Sequence, residues 1–154
     1  GTVDEGFKIA MNTLDGGRIG IGAQALGIAQ RAFDESVRYA RERTSFGRRI
    51  GEYQAVQFTI ADMEARVHTA RLAYYAAAAR MRRGERFKKE AAIAKLVASN
   101  AAMDNARAAT QVFGGYGFMN EYPVARFYRD AKVLEIGEGT SEIQRMVIAR
   151  ELGL

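Results

Sequence analysis

Three long stretches of this 154-residue chain repeat apolar residues at helical spacing, and the breaks between them carry glycine. Leu26, Ala29, Phe33, Val37 and Ala40 form the first stripe, from Arg18 onward to "RTSFGRRIG" with Gly47 and Gly51. Val56, Ile60, Met63, Val67, Ala70, Tyr74 and Ala77 form the second, which ends at Gly84. The third runs from about Phe87 through Ile93, Leu96, Val97, Ala101 and Ala108 to Val112, where "GGYG" stops it. Such recurrence marks one face of an α-helix that has to be buried. Helices of about thirty residues joined by short loops bury those faces most economically by lying antiparallel.

The expected fold is therefore all-α: an up-and-down four-helix bundle with a short extra linking segment, "EYPVARFYRDAKVLEIG", and a C-terminal helix. Ser141-Glu142-Ile143-Gln144 fits a capping box and sets the start of that last helix at Ser141. The first residues, "GTVDEGFKIAMNTL", suit a bundle poorly. Residues 1–14 are expected to be the tail of a preceding, missing β domain, and 15–154 the helical domain.

Composition narrows the chemistry. Apolar residues make up 48% of the chain and charged ones 27%, with a single proline, which excludes a disordered tail or a collagen-like chain. The absence of cysteine removes disulfides, thiolate nucleophiles and zinc-thiolate sites, and points weakly to an intracellular setting. No signal pattern opens the chain, and no run approaches the ~18 apolar residues of a membrane span, so a soluble protein is expected. The net charge of +5 favours an anionic ligand. The densest basic stretch, "RMRRGERFKK", surrounds Gly84, reads as a solvated helix connection and lacks aromatic interleaving for base stacking.

Several sites fail on their own terms. Gly20-Ile-Gly22 matches a loose dinucleotide fingerprint without the strand that motif needs, so close helix packing explains it better. The single histidine, His68, has Ala65 rather than glutamate three residues before it, so no di-iron site is expected, and no nucleophile elbow supports a hydrolase triad. His68 reads as a helix-face residue. Three stretches keep two readings each. Glu138, between Gly137 and Gly139, can complement a helix dipole or present a carboxylate to a ligand. Asp15 and Arg18 in "LDGGR" can cap and decorate a helix or bind a phosphorylated group. Arg43, Phe46 and Gly47 in "RERTSFGRR" can finish a helix or cradle a phosphate.

Taken in order, "GFKIAMNTLDGGRIGIGAQALGIAQ", "RERTSFGRRIGEYQAVQFTIADM", "AAIAKLVAS", "QVFGGYGF" and "YRDAKVLEIGEGTSEIQRMVIAREL" resemble the C-terminal helical domain of the acyl-CoA dehydrogenase family, closest in character to short-chain and branched-chain members. The resemblance covers nearly the whole chain. It implies an FAD-dependent oxidoreductase that introduces a double bond between Cα and Cβ of an acyl-CoA thioester and passes electrons to an electron-transfer flavoprotein. It makes Glu138 the base that removes the α-proton, with Gly139 allowing the thioester to approach the backbone. Arg43, Phe46, Gln54, Gln111, Gly114 and Gly115 are similar to residues that reach the FAD of a neighbouring subunit. Thr140 and Glu142 resemble positions beside the chain's own flavin, and Asp15 and Arg18 the pair near the CoA-bearing part of the substrate.

The same likeness implies a homodimer or homotetramer in the cytoplasm or mitochondrial matrix, with no metal and no nucleic acid. Some family members place the base on the first helix, just before the arginine of "LDGGR"; here that residue is Gly17, which strengthens Glu138. The residue before the glutamate is commonly tyrosine in the family and is Gly137 here, which implies room for a branched or bulkier acyl group. An acyl-CoA oxidase or related flavoenzyme, and a non-catalytic helical scaffold, are the competing readings. The isolated chain is expected to bind FAD poorly and to be inactive.

Overall fold

The computed structural model describes all 154 residues. Five helices follow in order: α1 (Gly6–Glu42), α2 (Gln54–Arg82), α3 (Lys88–Phe113), α4 (Val124–Ile136) and α5 (Ser141–Glu151). Two short antiparallel strands, β1 (Thr44–Ser45) and β2 (Arg48–Arg49), join α1 to α2 through a hairpin. A 3₁₀ stretch, Gly114–Phe118, follows α3. No helix is long and apolar enough to cross a membrane.

Side-chain registers give the directions. Gly22 of α1 sits against Ala94 and Lys95 of α3, and Tyr39 further along α1 stacks on Phe113 at 4.0 Å, so α1 and α3 run parallel. The late residue Ala77 of α2 clusters with the early residues Ile19 and Ala91, so α2 runs the other way. The early α4 residues Ala125 and Tyr128 share a cleft with Arg107, Thr110 and Gln111, and the later Lys132 and Glu135 share one with Asn100, Met103 and Asp104, so α4 returns antiparallel to α3. The four make the expected up-and-down bundle, and α5 packs on α3, its last residue Glu151 lying 2.8 Å from Arg86 just ahead of α3.

The linking segment expected before the last helix is itself the fourth helix of the bundle. Val124, Phe127, Ala131 and Leu134 recur at helical spacing and are buried in the core, while charged residues fill the outer face of α4. The first helix also begins earlier than expected, at Gly6 rather than near Arg18. Gly16 and Gly17 punctuate the sequence without breaking the helix.

The buried faces of α1 and α3 consist mostly of small residues. Ala25, Ala29 and Ala32 meet Ala98, Ala102, Ala106 and Ala109 with no exposure, while Leu26, Phe33 and Val97 pack around the edge of this seam. Small side chains let two helix axes approach at the short end of the usual 8–10 Å range. Gly22 belongs to this close contact, as the packing argument expects, whereas Gly20 faces open space. One polar group ties the bundle together. The buried amide of Asn105 on α3 donates to the carbonyls of Ala29 on α1 (3.2 Å) and Met63 on α2 (3.0 Å), and its oxygen accepts from Arg66.

Two further readings hold and one is corrected. The basic stretch around Gly84 is the connection between α2 and α3, and His68 is exposed on α2. The capping box at Ser141 is not formed. Thr140 is the N-cap, its hydroxyl accepting from Ile143 N–H at 3.4 Å. The Gln144 amide reaches further back and donates to the carbonyls of Glu138 (3.2 Å) and Gly139 (2.8 Å).

Candidate active site

Glu138 lies in the turn between α4 and α5, and its backbone is left-handed at φ 55°. That region costs a non-glycine residue on the order of 1–3 kcal/mol and is retained where the surroundings hold it, commonly at functional sites. Gly139 follows at φ 90°, a conformation that glycine adopts freely, and a Cβ there would come within 2.9 Å of the Gln144 amide nitrogen. Gly137 has ordinary extended backbone, and the nearest atom to an added Cβ is the Val133 carbonyl oxygen at 3.4 Å. From this turn the Glu138 side chain reaches onto α1. A Cβ built on Gly17 would stand 2.5 Å from Glu138 Oε2 and 3.0 Å from its Cδ. The Glu138 carboxylate thus occupies the space that a side chain at position 17 would take.

Polar groups gather around this turn. Arg18, the neighbour of Gly17, is 5% exposed and donates to the carboxylate of Asp15 one helical turn earlier. Thr140 caps α5, and Glu142 in its first turn is held below the usual glutamate range by a hydrogen bond to its own backbone N–H and by the Thr140 hydroxyl. The structure therefore brings Asp15, Arg18, Glu138, Gly139, Thr140 and Glu142 to one end of the bundle. Lys95 of α3 was not singled out from the sequence, yet it belongs here, with no exposure and no hydrogen bond to its ammonium. The signal was a lone lysine on a small-residue face, between Ala94 and Ala98 in "AAIAKLVAS".

Arg43, Phe46, Gln54, Gln111, Gly114 and Gly115 lie at the opposite end. Arg43 caps the C-terminus of α1 and stands over the Tyr116 ring at 5.2 Å. Together with Tyr39, Phe113, Gly114 and Gly115 it lines a cleft of about 460 Å³. Phe46 and Gly47 form the hairpin tip with φ values of 51° and 82°, as a primed two-residue turn demands. A phenylalanine is a poor choice for that backbone, and this one is 95% exposed. Gln54 opens α2, and Gln111 sits exposed near the end of α3 beside a second cleft that Gly114 also lines. Gly17 and Glu42 belong to one continuous helix, so at about 1.5 Å per residue the two ends lie roughly 38 Å apart along its axis.

No group of histidine, cysteine, aspartate and glutamate side chains is placed to hold a metal ion. The other polar features can bind an anionic ligand at the hairpin end and move a proton at the Glu138 end.

The model of the acyl-CoA dehydrogenase C-terminal domain matches residues 4–153. The chain is 51% identical over 147 residues to the short-chain specific acyl-CoA dehydrogenase of Megasphaera elsdenii, covering 96% of this chain and 38% of that protein. It is 49% identical over 152 residues to the 3-(aryl)acrylate reductase of Clostridium sporogenes, covering 99% and 40%. The solved structure of butyryl-CoA dehydrogenase from Megasphaera elsdenii superposes with a TM-score of 0.98 at 49% identity, covering all of this chain and 40% of that one. The chain thus spans about two fifths of the length of the curated relatives it matches. With the helical bundle, the left-handed glutamate turn and these likenesses in agreement, the chain belongs to the acyl-CoA dehydrogenase family and matches its C-terminal domain.

Proposed function

We propose that this chain supplies the catalytic base for α,β-dehydrogenation of a short or branched acyl-CoA, with Glu138 taking the α-proton. The observation that carries the reading is the Glu138 carboxylate folded over Gly17 from a strained turn. Glycine at position 17 is what leaves that space free. The thioester α-proton is weakly acidic, so its removal needs a carboxylate held at the reacting carbon and shielded from bulk water. Glu138 accepts this proton at its carboxylate while the Cα–H bond breaks. Gly139 has no side chain to obstruct the thioester, and Asp15 with Arg18 orients the CoA-bearing part.

A bound FAD would supply the acceptor for the β-hydrogen and its electron pair. The residues at the hairpin end fit such a group: Arg43 offers a guanidinium to phosphate, the Gly114–Gly115 backbone leaves open space, and Phe46 presents an exposed ring. Thr140 and Glu142 would face a flavin at the Glu138 end. A span of roughly 38 Å between the two ends supports the reading that a second copy of the chain contributes the hairpin end of each site. A homodimer or homotetramer is therefore part of the proposal, with electron-transfer flavoprotein as the acceptor and a cytoplasmic or matrix setting.

The substrate class rests on the short-chain specific relative and the butyryl-CoA dehydrogenase structure, and on Gly137 in place of the family's usual tyrosine. The reductase among the relatives is consistent with a reversible Cα–Cβ chemistry. The 154 residues alone are expected to bind FAD weakly and to be inactive; a yellow fragment that reduces a dye with butyryl-CoA would overturn this. In the FAD-loaded enzyme, Glu138→Gln is expected to cut butyryl-CoA dehydrogenation by at least about 10⁴-fold while leaving flavin content unchanged. Retained turnover would sink the assignment.

A further inference from the structure

Glu138 and Gly139 form a turn whose backbone has no partner in either flanking helix. Helix α4 closes with Gly137 N–H donating to the Val133 carbonyl at 2.8 Å, and α5 opens with Gln144 N–H donating to the Thr140 carbonyl at 3.0 Å. Between them, neither the N–H nor the carbonyl of Glu138 or Gly139 joins another backbone group. Their carbonyls are held by one side chain alone. Gln144 Nε2 donates to the Glu138 carbonyl at 3.2 Å and to the Gly139 carbonyl at 2.8 Å. A primary amide carries two N–H donors, so both are used, and turning the amide over would set its oxygen against two carbonyl oxygens.

Helix α5 puts Gln144 there by its own geometry. Helical side chains lean toward the N-terminus, so a residue in the first turn after the Thr140 cap reaches back over the preceding loop. Gly139 leaves the room, since a Cβ there would stand 2.9 Å from Gln144 Nε2. The Gln144 side chain is fully buried, and its Oε1 has no hydrogen-bond partner. A methionine would fill the same space without leaving a buried oxygen unpaired, so packing alone does not call for an amide here. What the amide adds is the pair of donors. They fix the two peptide planes that follow the Glu138 Cα, and with them the left-handed backbone from which the carboxylate reaches Gly17.

We propose that Gln144 is a positioning residue for Glu138: its amide clamps the two carbonyls of the Glu138–Gly139 turn and so holds the carboxylate over Gly17. The kinetic part of the proposal rests on the reading of Glu138 as the base; the structural part does not. The test uses the FAD-loaded enzyme carrying Gln144→Met, which keeps the volume and removes both donors. Its crystal structure is expected to show the Glu138 carboxylate displaced from Gly17. A carboxylate left in place overturns the proposal, whatever Glu138 does in the reaction. With butyryl-CoA, kcat is expected to fall roughly 10- to 100-fold while KM and flavin content stay within about twofold. The isotope effect of deuterium at Cα is expected to rise, because proton removal is the step that is slowed. A merely structural amide would lower the melting temperature and leave kcat and the isotope effect unmoved with the carboxylate in place, which overturns the proposal too. Gln144→Glu, equally without a donor when ionised, is expected to give the same loss of kcat and serves if Gln144→Met does not fold. A displaced carboxylate with undiminished kcat would remove the base assignment and the positioning role with it, whereas an inactive Glu138→Gln beside an unmoved carboxylate in Gln144→Met would remove the positioning role alone.

Discussion

Gly17 and Glu138 share one volume, and this makes position 17 an unusually clean probe. Alanine in the middle of a helix is ordinarily more stable than glycine by about 0.5–1 kcal/mol. Here the atom it would strike is the end of a flexible side chain, so the Glu138 carboxylate has to move aside. Gly17→Ala is therefore expected to leave the melting temperature unchanged or raised while kcat/KM falls roughly 10- to 100-fold. A parallel fall in both would mean that the contact is only structural. At Gly137 the backbone is ordinary and a Cβ meets nothing closer than 3.4 Å, so tyrosine can be introduced without strain. Gly137→Tyr is expected to lower kcat/KM for branched acyl-CoAs more than for straight ones; equal effects on both would remove the role given to this glycine. The sequence made Glu138 a candidate through its flanking glycines, but could not reveal which atoms it meets. Gly17 and Glu138 are far apart in the chain, and only the turn after α4 brings them together.

The helices were legible where large apolar residues marked the buried face and obscure where small ones did. The stripe of Met63, Val67 and Ala70 on α2 is buried as read. On α1, by contrast, Ala25, Ala29 and Ala32 are buried and Leu26 and Phe33 flank them, because the close approach to α3 admits only small side chains. Helix α4 hid behind Pro123 and its many charges although its apolar residues were correctly spaced, and Asp15-Gly16-Gly17 imitated a helix start inside α1. The capping residue was misplaced by one position, since threonine and serine are both good caps and only the backbone of Thr140 is extended. Asn105, which joins α1, α2 and α3, gave no periodic signal. Asn105→Ala is expected to destabilise the bundle by about 2–3 kcal/mol in urea titration, since both bridging bonds vanish together. At the α5 start, Glu142 has its folded-state ionisation held below the usual glutamate value of 4.5. Its stabilisation is accordingly complete above that pH and is lost as the pH falls through the lowered value. Glu142→Gln should flatten the acid side of the stability profile, as read by thermal melts; an unaltered slope would show that this carboxylate contributes nothing to folding.

At the scale of the whole molecule, the two sets of site residues sit at opposite ends of one bundle. Under the proposed function, a complete site takes Glu138 from one chain and Arg43 with Phe46 from another. Glu138→Gln and Arg43→Ala subunits should each be impaired alone. Co-expressed, they should recover activity in mixed oligomers, where an intact Glu138 meets an intact Arg43. Absence of any recovery, with mixed oligomers verified by mass, would place both residues in the same subunit's site. The continuous α1 has a further effect on how such an enzyme can change. As a rigid ruler, it converts any insertion between Gly17 and Glu42 into a screw motion: one added residue advances the hairpin by about 1.5 Å and swings it by about 100°. The distance and phase between Gly17 and the hairpin end are thus locked together. Under the proposed function, tolerance for new acyl groups has to arise by carving space locally, as at Gly137, rather than by moving the two ends apart.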